Sequence, residues 1–347
     1  MSGTIRDLHI LRGRQKWDED PFVYKGWRTR PVWLAKEEKG KKRVHLTGLG
    51  DVGMNTALGL VLTGGDLIGE IGLYDLNERQ CRRLETELSQ IGGPFAEERF
   101  PAVTVCTGET LFDCDVFLFC ATGGVPAVGS GITDVRMAQY ETNRKILALY
   151  AREAARRAYK GLFVVVSDPV DLLCMEALRV SREMEETGRP LTTDQIAGCG
   201  LGVMHARACY FARKDPALSL YLQEGRAFGP HGEGLVIANS RFPARYDDET
   251  SRILTGRTAH ANLQVRELGY KPYLAPAMSS AVLSLLPMLR GEWNYSAAYL
   301  GGLYFGALNR QTADGVQWEE DALPPGLFAR LQASYRELED ILWESSS

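Results

Sequence analysis

From about Lys42 onward, apolar residues come in short continuous blocks separated by amphipathic stretches. The blocks at residues 43–48, 71–75, 103–106, 115–120 and 162–166 read as strands, and the stretches at 51–63, 78–91, 134–159 and 171–186 read as helices. In the second helix, Leu84, Leu88 and Ile91 fall on one stripe, the spacing of a helix with one buried face. Nearly all-apolar strands separated by helices predict a parallel sheet covered on both sides. Past about residue 195 the pattern changes. Strand-like segments at 227, 235–238 and 299–308 mix with helical stretches at 247–268, 276–290 and 326–343, which predicts an α+β second half.

Composition narrows this picture without changing it. Of 347 residues, 45% are apolar and 24% charged, a balance that excludes a disordered or fibrous chain. The two longest uncharged runs, residues 116–133 and 272–289, are broken by glycine, proline and serine. Neither is expected to span a membrane. No secretory leader is visible, and seven cysteines without a C-x-x-C pair predict reduced thiols in a cytoplasmic protein, with no disulfide frame and no metal site. Residues 1–43 hold 12 Lys and Arg against 6 Asp and Glu, whereas the remainder holds 28 against 38. A basic arm on an acidic body is one way to touch nucleic acid. Because the arm also carries Trp17, Trp27 and Trp33, packing on its own body or on a neighbouring subunit is the favoured expectation. The expected organisation is an arm over 1–42, a nucleotide-binding domain over 43–190 and a second domain over 191–347.

The first chemical signal is Gly48-Leu-Gly50-Asp-Val-Gly53, a G-x-G-x-x-G that follows a strand and opens a helix. The first glycine permits the turn, the second lets the backbone approach a pyrophosphate, and the third lets helix pack on strand. Backbone groups of Gly48, Gly50, Asp51, Val52 and Gly53 then offer N–H donors at a helix N-terminus. Asp75 ends the next strand, 22 residues past Gly53, where a carboxylate accepts both ribose hydroxyls and repels a 2′-phosphate. These features predict a Rossmann-type doubly wound sheet that binds NAD in preference to NADP.

Three further segments complete a resemblance. They are Ala121-Thr-Gly-Gly-Val-Pro126 with Arg136 and Asn143 downstream, Ser167-Asp-Pro-Val-Asp171, and Arg207 together with Gly229-Pro-His-Gly-Glu233. With the glycine loop, in this order from about Arg43 to Leu342, they resemble the lactate/malate dehydrogenase family. The resemblance implies an oxidoreductase that moves a hydride between nicotinamide and a 2-hydroxy or 2-oxo carboxylate, working as a homodimer or homotetramer. It implies that His231 exchanges the proton, Arg207 clamps the substrate carboxylate, Arg136 polarises the substrate carbonyl, and Gly123 and Asn143 lie beside the cofactor. A planar guanidinium suits the clamp because it binds a carboxylate through two parallel bonds.

Departures from the family pattern are equally informative. Ala127 stands where a longer specificity residue usually follows Gly-Val-Pro, which predicts a bulky or apolar substrate side chain, and Lys271 falls near a pocket position. Asp168 replaces the usual asparagine of Asn-Pro-Val-Asp. Met204 occupies the place of the aspartate that orients the histidine. The expectation is that Asp168 and His231 form a coupled acid/base pair, Asp168 approaching from the substrate side. Three alternatives stand beside the dehydrogenase: an imine-reducing relative, a non-catalytic relative, and an NAD- and metal-dependent glycosidase hinted at by Cys199 and His205. His9, His45 and His260 read as structural or exposed.

Overall fold

In the computed structural model, which describes residues 3–12, 33–34, 40–94, 99–124 and 135–344, β1 (Lys42–Thr47) leads into α1 (Asp51–Thr63) and β2 (Ile68–Tyr74) into α2 (Glu78–Ser89). Then come β3 (Ala102–Val105), β4 (Val116–Phe119), α3 (Val135–Arg156), β5 (Leu162–Val165), α4 (Val170–Arg182), β6 (Ile196–Gly198) and α5 (Leu201–Lys214). Every residue of β4, β5 and β6 is buried, which is why these strands read as unbroken apolar blocks. β1 pairs in parallel with β2 and β4, β2 with β3, β4 with β5, and β5 with β6. The resulting order β3-β2-β1-β4-β5-β6 reverses between β1 and β4. In open α/β sheets the crevice outside the strand ends at such a reversal is the place where ligands bind.

The second half contains α6 (Tyr221–Glu224), β7 (Arg226–Phe228), β8 (Val236–Ala238), α7 (Asp248–Ala259) and α8 (Ala261–Glu267). A widened π-type turn over Pro276–Val282 then runs into α9 (Leu283–Leu289), followed by β9 (Asn294–Leu300), β10 (Leu303–Thr312), β11 (Gly315–Trp318) and α10 (Pro325–Glu344). β7 and β8 make a separate hairpin. β9 joins β6 antiparallel through Gly198 and Ala297, and β10 and β11 extend the same sheet to nine strands. The antiparallel strands of the α+β half are therefore bonded onto the parallel sheet. Two local expectations change. The strand expected over 299–308 is a hairpin, because Gly301 and Gly302 turn the chain at φ of 59° and 132°. The helix expected over 247–268 breaks at His260, between α7 and α8.

Two apolar cores cover the sheet. On one side α1, α2 and α9 pack together with Trp33 and Leu34, and on the other α3, α4 and α10 pack with Ile5 and Leu8. A third cluster surrounds α5 and includes Met204 and Tyr221. The described parts of the N-terminal arm thus pack on the body. A 3₁₀ helix over Ile5–Arg12 inserts Ile5 and Leu8, Leu323 N–H donates to Gly3 O at 2.9 Å, and Arg6 pairs with Glu320 at 2.8 Å. Trp17 and Trp27 lie outside the described residues. All seven cysteines are free and six are buried. Among the described residues no helix is long and apolar enough to cross a membrane.

Ile5 and Leu8 are almost fully buried, at 2% and 3% exposure. Ile5→Ala and Leu8→Ala should each lower stability by about 2–4 kcal/mol. Urea unfolding followed by circular dichroism should show the midpoint fall at constant slope; an unchanged midpoint would mean that the arm does not hold the body.

Candidate active site

The site is assembled at the carboxyl ends of five neighbouring parallel strands. After β1 comes the glycine loop. A β-carbon on Gly48, whose φ is +83°, would lie 2.3 Å from the Ala121 backbone, and one on Gly53 would lie 2.0 Å from Gly48 O. These two glycines close the turn against the end of β4 and against itself. Gly50 differs: a β-carbon there would meet nothing within 4 Å. The space its missing side chain leaves open faces outward from an exposed residue, at a helix start with no side-chain cap. That is the cradle a pyrophosphate requires.

Asp75, at the end of β2, braces this loop. Leu49 N–H donates to its Oδ2 at 2.7 Å and Asn77 N–H to its Oδ1 at 2.9 Å. Each carboxylate oxygen has two lone pairs, so one on each remains for a ribose hydroxyl. The turn-residue and ribose readings of Asp75 are therefore compatible. Gln80 Nε2, in the first turn of α2, donates to Leu49 O at 3.0 Å and holds the next peptide of the same loop. The sequence reading missed Gln80, because no motif marks a glutamine at that place.

Asn143 is buried and its bonds point inward. Its Oδ1 accepts from Gly123 N–H at 2.9 Å and from Thr122 Oγ1–H at 3.2 Å, while its Nδ2 donates to Asp168 O at 2.7 Å. It ties the turn after β4 to the turn after β5. Gly123 is needed in that turn, since a β-carbon would lie 2.1 Å from Thr142 Cγ2.

The turn after β5 brings Asp168 to His231. His231 Nδ1–H donates to Asp168 Oδ1 at 2.9 Å; an ionised carboxylate only accepts, which fixes Nδ1 as the donor. His231 Nε2 is buried and has no hydrogen-bond partner among the described residues. The Asp168 side chain is 44% exposed and that of His231 17%, so the pair lies at an open edge with the carboxylate outermost. On α5, Met204 is buried and Arg207 Nη1 approaches its sulfur at 3.8 Å. Burial pulls the Arg207 guanidinium below the usual arginine range, and the negative charge of Asp168 opposes that shift. A guanidinium drawn out of water in this way gains from an anionic partner.

Three expected residues fall elsewhere. Lys271 is exposed and reaches Asp51 at 3.5 Å, at the mouth of the glycine loop. Ala127 and the side chain of Arg136 lie outside the described residues; the backbone of Arg136 sits in the first turn of α3. His205 points away into the third core. Its Nδ1 is 2.8 Å from Tyr221 Oη, its Nε2 is 3.6 Å from Cys209 Sγ, and its ring stacks on Tyr295 at 4.5 Å. Burial pulls its pKa down to about 4, with Arg226 and Arg213 adding to the effect.

Residues 42–187 match the family model described as lactate/malate dehydrogenase, NAD binding domain. The L-lactate dehydrogenase of Staphylococcus epidermidis is 25% identical over 291 residues, covering 76% of this chain and 86% of that one. The L-lactate dehydrogenase of Treponema denticola is 26% identical over 201 residues, and the match spans 58% of either chain. Among solved structures, a minor L-lactate dehydrogenase from Enterococcus mundtii superimposes with a TM-score of 0.69 at 21% identity, over 87% of this chain and 98% of that one. The malate dehydrogenase of Cryptosporidium parvum gives 0.66 at 17%, over 88% and 99%. At these identities the solved structures establish the shared fold.

The His205 environment makes stability depend on pH. Unfolded, histidine titrates near about 6.5, so between there and about 4 the unfolded chain takes up a proton that the folded chain refuses. Stability therefore falls as pH drops through that window, by up to ~3 kcal/mol from this group. His45, also lowered by burial, acts in the same direction. His205→Gln should flatten the fall in urea-unfolding free energy across these pH values; an unchanged slope would show that the ring is not held neutral.

Proposed function

We propose that the chain is a divergent member of the lactate/malate dehydrogenase family, whose NAD-binding-domain model matches residues 42–187, and that it is an oxidoreductase acting on a 2-hydroxy or 2-oxo carboxylate with NAD as its cofactor. The observation that carries the reading is the 2.9 Å bond between His231 and Asp168. The family's histidine-orienting carboxylate is absent at Met204, and Asp168 supplies one from the opposite turn.

The glycine loop and Asp75 would hold the dinucleotide, whose nicotinamide supplies or accepts the hydride. Arg207 binds the substrate carboxylate through its fork. In the oxidation direction the hydroxyl proton passes to His231 Nε2, the nitrogen left unpartnered by the bond at Nδ1. The imidazolium so formed is stabilised by Asp168. In reduction the same proton returns to the carbonyl oxygen. Arg136 is proposed to polarise that oxygen from α3, and Ala127 to leave room for a large substrate side chain. The exposed carboxylate of Asp168 favours a second reading, reduction of an imine, because a cationic nitrogen is attracted where a bare keto oxygen is repelled.

The decisive assay follows NADH and NADPH oxidation with a panel of 2-oxo and 2-imino acids. A bulky or apolar 2-oxo acid should be preferred to oxaloacetate, since Lys271 is engaged with Asp51; a kinetic preference for oxaloacetate would refute the pocket reading. NADH should be preferred to NADPH, and Asp75→Ser should narrow the gap. Asp168→Asn should lower kcat/KM by roughly 10²–10⁴-fold and displace the pH–rate profile. Adding Met204→Asp to that variant should restore part of the rate. Unchanged turnover in Asp168→Asn would remove Asp168 from the proton path.

A further inference from the structure

The π-type turn over Pro276–Val282 is wedged between α1 and α5. Glycines let it pass. A β-carbon on Gly202 would lie 2.2 Å from Ser279 O, and one on Gly59 would lie 2.7 Å from Val282 Cγ2. Short π segments occur often at functional sites, and this one carries Ser280, which is 3% exposed.

The Ser280 hydroxyl makes two bonds. It donates to Gly200 O at 2.7 Å and accepts from Val203 N–H at 3.0 Å. α5 begins after Gly200, which has no side chain to cap the helix. A residue 77 positions along the chain therefore does the work that an N-cap side chain normally does, by accepting from a first-turn N–H. Gly200 is also where the catalytic elements converge. A β-carbon there would lie 3.0 Å from His231 Cβ and 3.0 Å from Val170 Cγ2, and Val170 follows Asp168 by two residues.

We propose that Ser280 is a positioning residue of the substrate site: by fixing the first turn of α5 it sets where Arg207 stands relative to the His231–Asp168 pair, without touching substrate. This rests on the reading of Arg207 as the carboxylate clamp. Without the hydroxyl, Gly200 O and Val203 N–H are left unpaired in a buried place. The first turn of α5 then shifts or frays to recover partners, and Arg207, in the second turn, moves with it. The cofactor loop after β1 is left in place.

The test compares Ser280→Ala with Ser181→Ala. Ser181 is an equally buried serine at the far end of α4 with the same pair of bonds, to Leu178 O and from Leu191 N–H. Three quantities are measured on the full chain: melting temperature, the NADH dissociation constant, and the dissociation constant of oxamate, an unreactive carboxylate probe, on the NADH-loaded protein. KM and kcat for the best 2-oxo acid accompany them. Both variants should melt lower. Only Ser280→Ala should weaken oxamate binding and raise KM, by roughly ten- to a hundredfold, with a smaller loss in kcat and an unchanged NADH constant. Ser280→Cys, which keeps the volume and weakens the bonds, gives the same comparison if Ser280→Ala does not fold. Equal oxamate constants in the native protein and Ser280→Ala, or an equal rise in Ser181→Ala, would overturn the positioning role. If the native protein binds NADH but neither binds oxamate nor turns over a 2-oxo acid, the carboxylate reading of Arg207 fails, and this proposal with it.

Discussion

One buried amide joins the parts of this site. Asn143, on α3, receives hydrogen bonds from the turn after β4 and gives one to the turn after β5. Both turns sit at strand ends, where no ladder hydrogen bonds remain to hold them, and their polar backbone groups must find partners elsewhere. By taking all three bonds, Asn143 fixes the loop beside the glycine cradle and the backbone of Asp168 together. Asp168 in turn holds His231. A single buried side chain thus ties the turn after β4 to the turn that carries the Asp168–His231 pair.

The fold was largely legible because its signals are local. Apolar blocks, amphipathic stripes and the glycine triplet each report on a few neighbouring residues, and the buried strands and first helices fall where those patterns placed them. The place of Asp75 at the end of β2, against the glycine loop, was readable from its spacing. The pairing of Asp168 with His231 was legible through a departure: an aspartate in one motif and a missing aspartate in another left a single nearby carboxylate. What stayed hidden depends on contacts between distant segments. The three residues of β6 are too few to give a periodicity, and their partner Ala297 is about a hundred positions away. The inward direction of Asn143, the bond from Gln80 to Leu49 and the cap from Ser280 to α5 follow from tertiary geometry that no spacing records. The contact of Lys271 with Asp51 was equally hidden, because a motif position says nothing about where a long exposed side chain finds its partner.

The two histidines flanking Arg207 along the fold show how surroundings assign chemistry. His205 lies next to the helix position of the missing carboxylate, yet stacking on Tyr295 and bonding to Tyr221 and Cys209 commit its ring to the core. His231 has one nitrogen on a carboxylate and the other without a partner among the described residues. The first arrangement engages both ring nitrogens, and the second leaves one of them without a partner among the described residues.

The joining of β6 to β5 on one side and to β9 on the other makes the sheet a single mechanical beam. Swinging one half of the chain against the other would shear backbone hydrogen bonds at its middle. Segments hung from the strand ends can be replaced without cutting that beam. In such a design, new substrate preferences are acquired by exchanging loops, and the stability of the scaffold is inherited unchanged.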